Sequence, residues 1–153
     1  MGTSFVSIND KGFWMRDGVL ELWLRLLALH VEEPTREEGV VQRDIRDKWL
    51  LASRGFFNGC IPDDLEEIVS TDRGREVAIQ AIHSLLGRLK EGRKELDAGT
   101  LNLLGIEGSW NGNFEAWRLI EVGNAFLALI AGRIQSDASS TEFMPGCREK
   151  SSE

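Results

Sequence analysis

An all-α fold, a compact single-domain bundle of five to six helices, is what this sequence predicts, and three observations carry the expectation. Residues 19–31, Val-Leu-Glu-Leu-Trp-Leu-Arg-Leu-Leu-Ala-Leu-His-Val, are apolar almost all the way round a helical wheel. A second helical pattern runs from about 113 to 135, and no apolar–polar alternation long enough to mark a strand is evident anywhere. On the first wheel, Glu21, Arg25, Ala28 and Glu32 share one narrow strip, with leucines, Trp23 and Val31 around the rest. A helix with so thin a polar strip has to be enclosed by other elements. The helices near 18–32 and 113–135 are therefore expected at the centre of the bundle.

The elements follow in order. Ser4 to Arg16 carries Phe5, Val6, Ile8, Phe13 and Trp14, so residues 1–16 form an apolar N-terminal arm packed on the bundle. Asp17 caps the first helix, which ends before Pro34 because the residue preceding a proline is pushed out of the helical region. Thr35 with Glu38 makes a capping box that opens a helix over about 36–54. Its apolar stripe is Val41, Ile45, Trp49 and Ala52. Pro62-Asp63-Asp64 opens a short helix reaching Ser70, with proline and acids in its first turn. Thr71 or Asp72 caps the next helix, whose stripe is Ala78, Ile82, Leu85, Leu86 and Leu89 and whose stop is Gly92. Residues 96–104 read as a short helix or turn interrupted by Gly99. In the last helix, Gly123 and Gly132 let a neighbour approach closely. The folded domain thus spans 1–136, and 137–153, rich in Ser, Thr, Glu and Lys, are expected to be a disordered tail.

Composition narrows the function classes. With 42% apolar and 28% charged residues the chain is ordinary for a globular protein, so wholesale disorder is excluded. Twenty-five acids against eighteen bases give a net charge of −7. That charge repels phosphate backbones and excludes nucleic acid as a favoured partner. It suits a basic protein, because complementary charge speeds encounter, although a charge of this size also simply keeps a small domain soluble. The 19–31 run, interrupted by Glu21 and Arg25, is too short to span a bilayer, so no membrane role is expected. Two cysteines, Cys60 and Cys147, and no apolar leader with a cleavage site predict a cytoplasmic protein with reduced thiols.

No motif carries a reaction. There is no G-x-S-x-G elbow, no P-loop, and no CxxC or HExxH spacing, so neither cofactor nor metal is expected. Asp63, Asp64, Glu66 and Glu67 could ligate a cation through oxygen, but they more simply decorate a helix N-terminus. The favoured binding candidates are two aromatic loops. In the first, Trp110 stands between glycines beside Asn111 and Asn113, where an exposed indole can anchor a partner or fold back as a lid on the core. In the second, the adjacent Phe56 and Phe57 precede Asn58 and cannot both face inward. A rival pocket would use His30, Glu121 and Asn124 beside Trp117, although a histidine on an apolar helix is more often a bonded core residue and Glu121 a structural bridge. His83, at the edge of its helix, reads as solvated.

The reading these features support is a small acidic protein-binding domain, of the size and charge of a bacterial immunity or antitoxin-like inhibitor, rather than an enzyme. The alternative is a small-ligand-binding protein or enzyme with an inter-helix pocket built on His30 and Glu121. Homo-oligomerisation through the aromatic loops is a third reading.

Overall fold

The computed structural model describes residues 2–31, 39–54, 61–103 and 112–147. Among these the fold is helix-dominated but mixed, with six helices and two small antiparallel two-stranded sheets. The purely α expectation is corrected first at the N-terminus. The apolar arm is a hairpin of β1 (Thr3–Ile8) and β2 (Lys11–Arg16), paired from Thr3↔Arg16 to Ile8↔Lys11. Its turn is Asn9-Asp10, with φ of 51° and 66°. Positive φ at both central residues marks the type I′ turn, whose twist matches that of the flanking strands, and Asn and Asp tolerate it better than other side chains.

Both faces of the hairpin are occupied. Val6, Phe13 and Met15 point into the core, whereas Phe5 and Trp14, directly opposite each other, pair their rings at 5.2 Å on the outer face. Ser4 is the polar member of the inner set. Its hydroxyl donates to Asp17 Oδ1 (2.7 Å) and accepts from the Ile61 amide (2.9 Å), so the buried oxygen is satisfied.

Helix α1 (Asp17–His30) lies at the centre as expected, with Leu20, Leu22, Trp23, Leu24 and Leu27 fully buried. Its solvent strip differs from the wheel in one respect: Ala28 is buried, and Leu29, 60% exposed, lies beside Arg25 instead. Helix α2 (Val40–Ala52) turns Gln42, Ile45, Trp49 and Ala52 inward, Gln42 replacing the expected Val41. The capping box at Thr35 and Glu38 lies outside the described residues. After α3 (Leu65–Val69), Thr71 Oγ1 accepts from Gly74 N (3.1 Å) and caps α4 (Asp72–Glu91), whose apolar face is the expected one and which stops at Gly92. Helix α4 packs on α1, α2, α3 and the last helix, α6 (Ala116–Ile130), and so takes the middle place beside α1 that was expected for the helix near 113–135.

The second sheet joins β3 (Glu95–Leu96) to β4 (Phe114–Glu115) across α5 (Ala98–Leu103). The last helix, α6 (Ala116–Ile130), is shorter than expected at both ends. Phe114 and Glu115 are drawn into β4. At the far end Gly132 adopts φ +75°, and Gly132 N and Arg133 N close on the carbonyls of Leu129 and Ala128. That is a Schellman motif, which needs a residue tolerating the left-handed region. Gly132 is thus a stop signal rather than a packing site. Gly123 does serve close approach, since a Cβ there would sit 2.5 Å from Leu86 Cδ2 and 3.0 Å from the Trp23 ring.

The tail, expected to be disordered over 137–153, is the second correction over 137–147; residues 148–153 lie outside the described residues. Residues 137–147 have the composition of a disordered segment, yet they and the preceding turn are tied back onto the domain. Gly12 N donates to the Ser136 carbonyl (2.8 Å), the Ser136 hydroxyl returns a bond to Gly12 O (3.0 Å), and the Trp14 indole donates to Ala138 O (2.9 Å). Phe143 stacks edge-on against Phe13 at 6.0 Å, and Pro145 is buried. A polar composition is compatible with order here because main-chain groups, the Trp14 indole and the Phe13–Phe143 contact, rather than a core of its own, hold the segment. No described helix is long and apolar enough to cross a membrane.

Candidate functional site

Helix α6 and the returning C-terminal segment border a shallow, open surface groove of about 480 Å³. On the helix side a row three to four residues apart, Trp117, Glu121, Asn124 and Ala128, faces the opening. The opposite wall is Ile134 and Phe143, and Ile120 and Ala125 complete the lining. Trp117 and Phe143 are each 43% exposed, an unusual amount for two large aromatic side chains on one concave surface.

The sequence explains why these groups meet. Trp117 lies in the first turn of α6, where its indole N–H donates to Glu115 Oε2 at 2.7 Å, which holds the ring outward. Glu121 accepts from Gly146 N (2.9 Å) through Oε1, and Arg118 donates to Gly146 O (2.6 Å) while its guanidinium lies 4.0 Å above the Phe114 ring. Gly146 is clamped between the two helix side chains, and its close approach excludes a Cβ, which would meet Val19 and Val122 at 2.8 Å. The clamp places Phe143 against the hairpin and so builds the second wall. Glu121 is in this sense a structural bridge, although to a main-chain amide and not to an arginine.

His30, the third member of the rival pocket, does not line this groove. Its Nδ1 lies 2.9 Å from Ser84 Oγ on α4, and burial, with the nearby Arg88 guanidinium, holds its pKa below 6.5. The structure therefore brings Glu121 and Asn124 together but leaves His30 elsewhere with a structural partner. Asn113 is likewise engaged: its Oδ1 accepts from Ala98 N (3.2 Å) and its Nδ2 donates to Glu95 Oε2 (3.3 Å), bracing the β3–α5 turn. Trp110, Asn111, Phe56, Phe57 and Asn58 lie outside the described residues, as does Cys60. Cys147 is a half-buried free thiol, and His83 is exposed.

The acids at 63–67 are dispersed rather than convergent. Asp63 Oδ1 accepts from Leu65 N (3.0 Å), Glu66 Oε1 from Asn9 N (2.7 Å), and Glu67 pairs with Lys48 (3.5 Å). Among the described residues no group of three His, Cys, Asp or Glu side chains could hold a metal ion. Burial, reinforced by the charges of Asp64 and Glu66, pushes the Asp63 carboxyl up to about 6.

Sequence reasoning placed Trp117, Glu121 and Asn124 on one strip but missed Ile134 and Phe143. The signal that could have found Phe143 is a lone aromatic with Pro145 and Gly146 in a polar stretch, a combination that suits a docked turn better than a free tail. Compared with family models, with curated proteins and with solved structures, the chain matches none.

Proposed function

We propose that this chain is a non-enzymatic protein-binding domain, working in the cytoplasm, whose acidic surface draws in a basic partner and whose groove along α6 makes the specific contact. One observation carries the reading: Trp117 and Phe143, two half-exposed aromatics, share one concave apolar surface. Aromatic anchors ringed by polar groups are the usual energetic centre of an interface. The net charge of −7 supplies long-range attraction to a cationic surface. An inhibitor of a basic protein, as expected from size and charge, fits this mode of action. The rival reading, a pocket chemistry shared by His30 and Glu121, gains nothing from the geometry, because Ser84 engages one and Gly146 the other.

The test is recovery of partners from the native cell with the intact chain and with Trp117→Ser, followed by mass identification. A basic protein retained by the intact chain and lost by the variant is the expected result. Its association rate should fall as salt is raised, because screening weakens steering between exposed charges. Equal retention by the variant, or a rate indifferent to salt, contradicts the reading.

A further inference from the structure

The geometry points to a basic amphipathic helix as the occupant of the α6 groove; this rests on the protein-binding reading above and specifies which part of the partner enters. Length is the first reason. The row from Trp117 to Ala128 covers eleven residues of rise, about 16 Å, or three turns of a helix laid alongside. Shape is the second. Ala125 and Ala128 keep the floor low between Trp117 and the Ile134–Phe143 wall, so apolar side chains at i, i+3/i+4 and i+7 of a docking helix can seat between them.

Main-chain chemistry is the third reason. The floor belongs to α6, whose amides and carbonyls bond within the helix. An extended segment laid on that floor would leave its own amides and carbonyls facing apolar side chains, at the cost of unmade hydrogen bonds. A helix satisfies its main chain internally and carries no such penalty.

Charge sets the character of the helix. Among the described residues no Lys or Arg lines the groove, whereas Glu121 does; around it Glu115 sits at the Trp117 end and Glu142 adjoins Phe143, against Arg133 beside Ile134 and Arg118, which is turned to Gly146 and the Phe114 ring. A second copy of this chain would bring the same carboxylates and the same −7 against them, so self-association through this face is opposed. Lys or Arg flanking the apolar stripe of a partner helix complements the rim.

The probe is a capped peptide of leucine and lysine about four turns long, with leucines at helical spacing. Its controls are a peptide of the same composition with the spacing broken and one with Glu in place of Lys. Calorimetric titration of the full chain should show the patterned peptide binding about tenfold tighter or better than either control. The Trp117 indole and Asn124 amide resonances should move on binding. Ala128→Arg, which raises the floor with a good helix former, should cut that affinity about tenfold or more. Glu142→Lys, at an exposed position, should weaken it without touching the floor.

Equal affinity for the two leucine–lysine peptides, or indifference to Ala128→Arg, overturns the helix assignment. If Ala128→Arg nevertheless abolishes capture of the native partner, the protein-binding reading stands without it. If Trp117→Ser leaves that capture intact, the underlying reading falls and takes the helix with it.

Discussion

Replacing Asp63 by Asn should stabilise the protein above neutral pH and do nothing of the kind in acid. Asp63 sits at the joint between α2 and α3, where the Trp49 indole donates to its carbonyl oxygen at 3.1 Å. The carboxyl is desolvated, and Lys48, the base that faces the acids of this region, is already held by Asp44 (3.4 Å) and Glu67 (3.5 Å). Burial and the neighbouring Asp64 and Glu66 raise its pKa from 3.8 to about 6, against the bond from Leu65 N, which favours ionisation. A carboxyl raised in this way holds its proton better in the folded chain than in the unfolded one. Its charge therefore weighs on the fold above pH about 6, and that burden is relieved as the pH falls from about 6 to 3.8. The difference between the two values is worth about 3 kcal/mol, at about 1.4 kcal/mol per pH unit.

The Asp63→Asn variant keeps an oxygen for the Leu65 amide, and the pull of that amide toward the charged form is already contained in the value of about 6, so nothing further is subtracted. The gain at alkaline pH is then the whole difference, about 3 kcal/mol, or about 6–12 °C in Tm for a chain of this size. Urea unfolding followed by tryptophan fluorescence across the pH range reads both the size and its disappearance in acid. A stability difference that does not vary with pH, or a loss of stability in alkaline buffer, would refute the burial argument.

Three further outcomes follow from the structure. Asp10→Gly should stabilise the hairpin by about 0.5–1 kcal/mol, because Asn-Gly suits the positive φ of 66° that Asp10 now bears; unchanged thermal unfolding would count against the turn assignment. Gly123→Ala should destabilise by about 1–2 kcal/mol despite alanine's better helix propensity, since its Cβ would press on Leu86 and Trp23; equal or greater stability in chemical denaturation would show the α1–α4–α6 contact to be looser. His30, held below 6.5, contributes stability that is whole above pH 6.5 and declines as the pH falls below it. His30→Asn, which keeps a polar group near the Nδ1 position facing Ser84, should flatten that acid-side decline in the same urea titrations, and an unaltered decline would place the titrating group elsewhere.

The spans of α1 and α4 were legible because several local signals agreed there, although the central place of α4 was not. Leucine density fixed α1, and Thr71, the apolar stripe and Gly92 together fixed α4 at both ends. The hairpin was not legible, and the reason is physical. Alternation is visible only when one face is polar, whereas here Phe5 and Trp14 make the outer face aromatic and Ser4 makes part of the inner face polar. The Asn9-Asp10 turn also lacks the glycine that usually announces it. Of the groove, the α6 strip of Trp117, Glu121 and Asn124 follows from helical spacing. Its other wall does not, because Phe143 is brought there by bonds between Gly146 and two residues some 25 positions away in the chain.

The bonds from Gly12 and Trp14 to Ser136 and Ala138 have a consequence for how the molecule is made. They cover part of the outer margin of β2, where unsatisfied main-chain groups would otherwise invite another strand. During synthesis the hairpin leaves the ribosome some 124 residues ahead of its cover, so the adhesive border stands open while the intervening helices emerge. A nascent chain stalled, or a transcript terminated, ahead of Ser136 would yield a product able to fold its helices yet prone to pair strand to strand with its own kind.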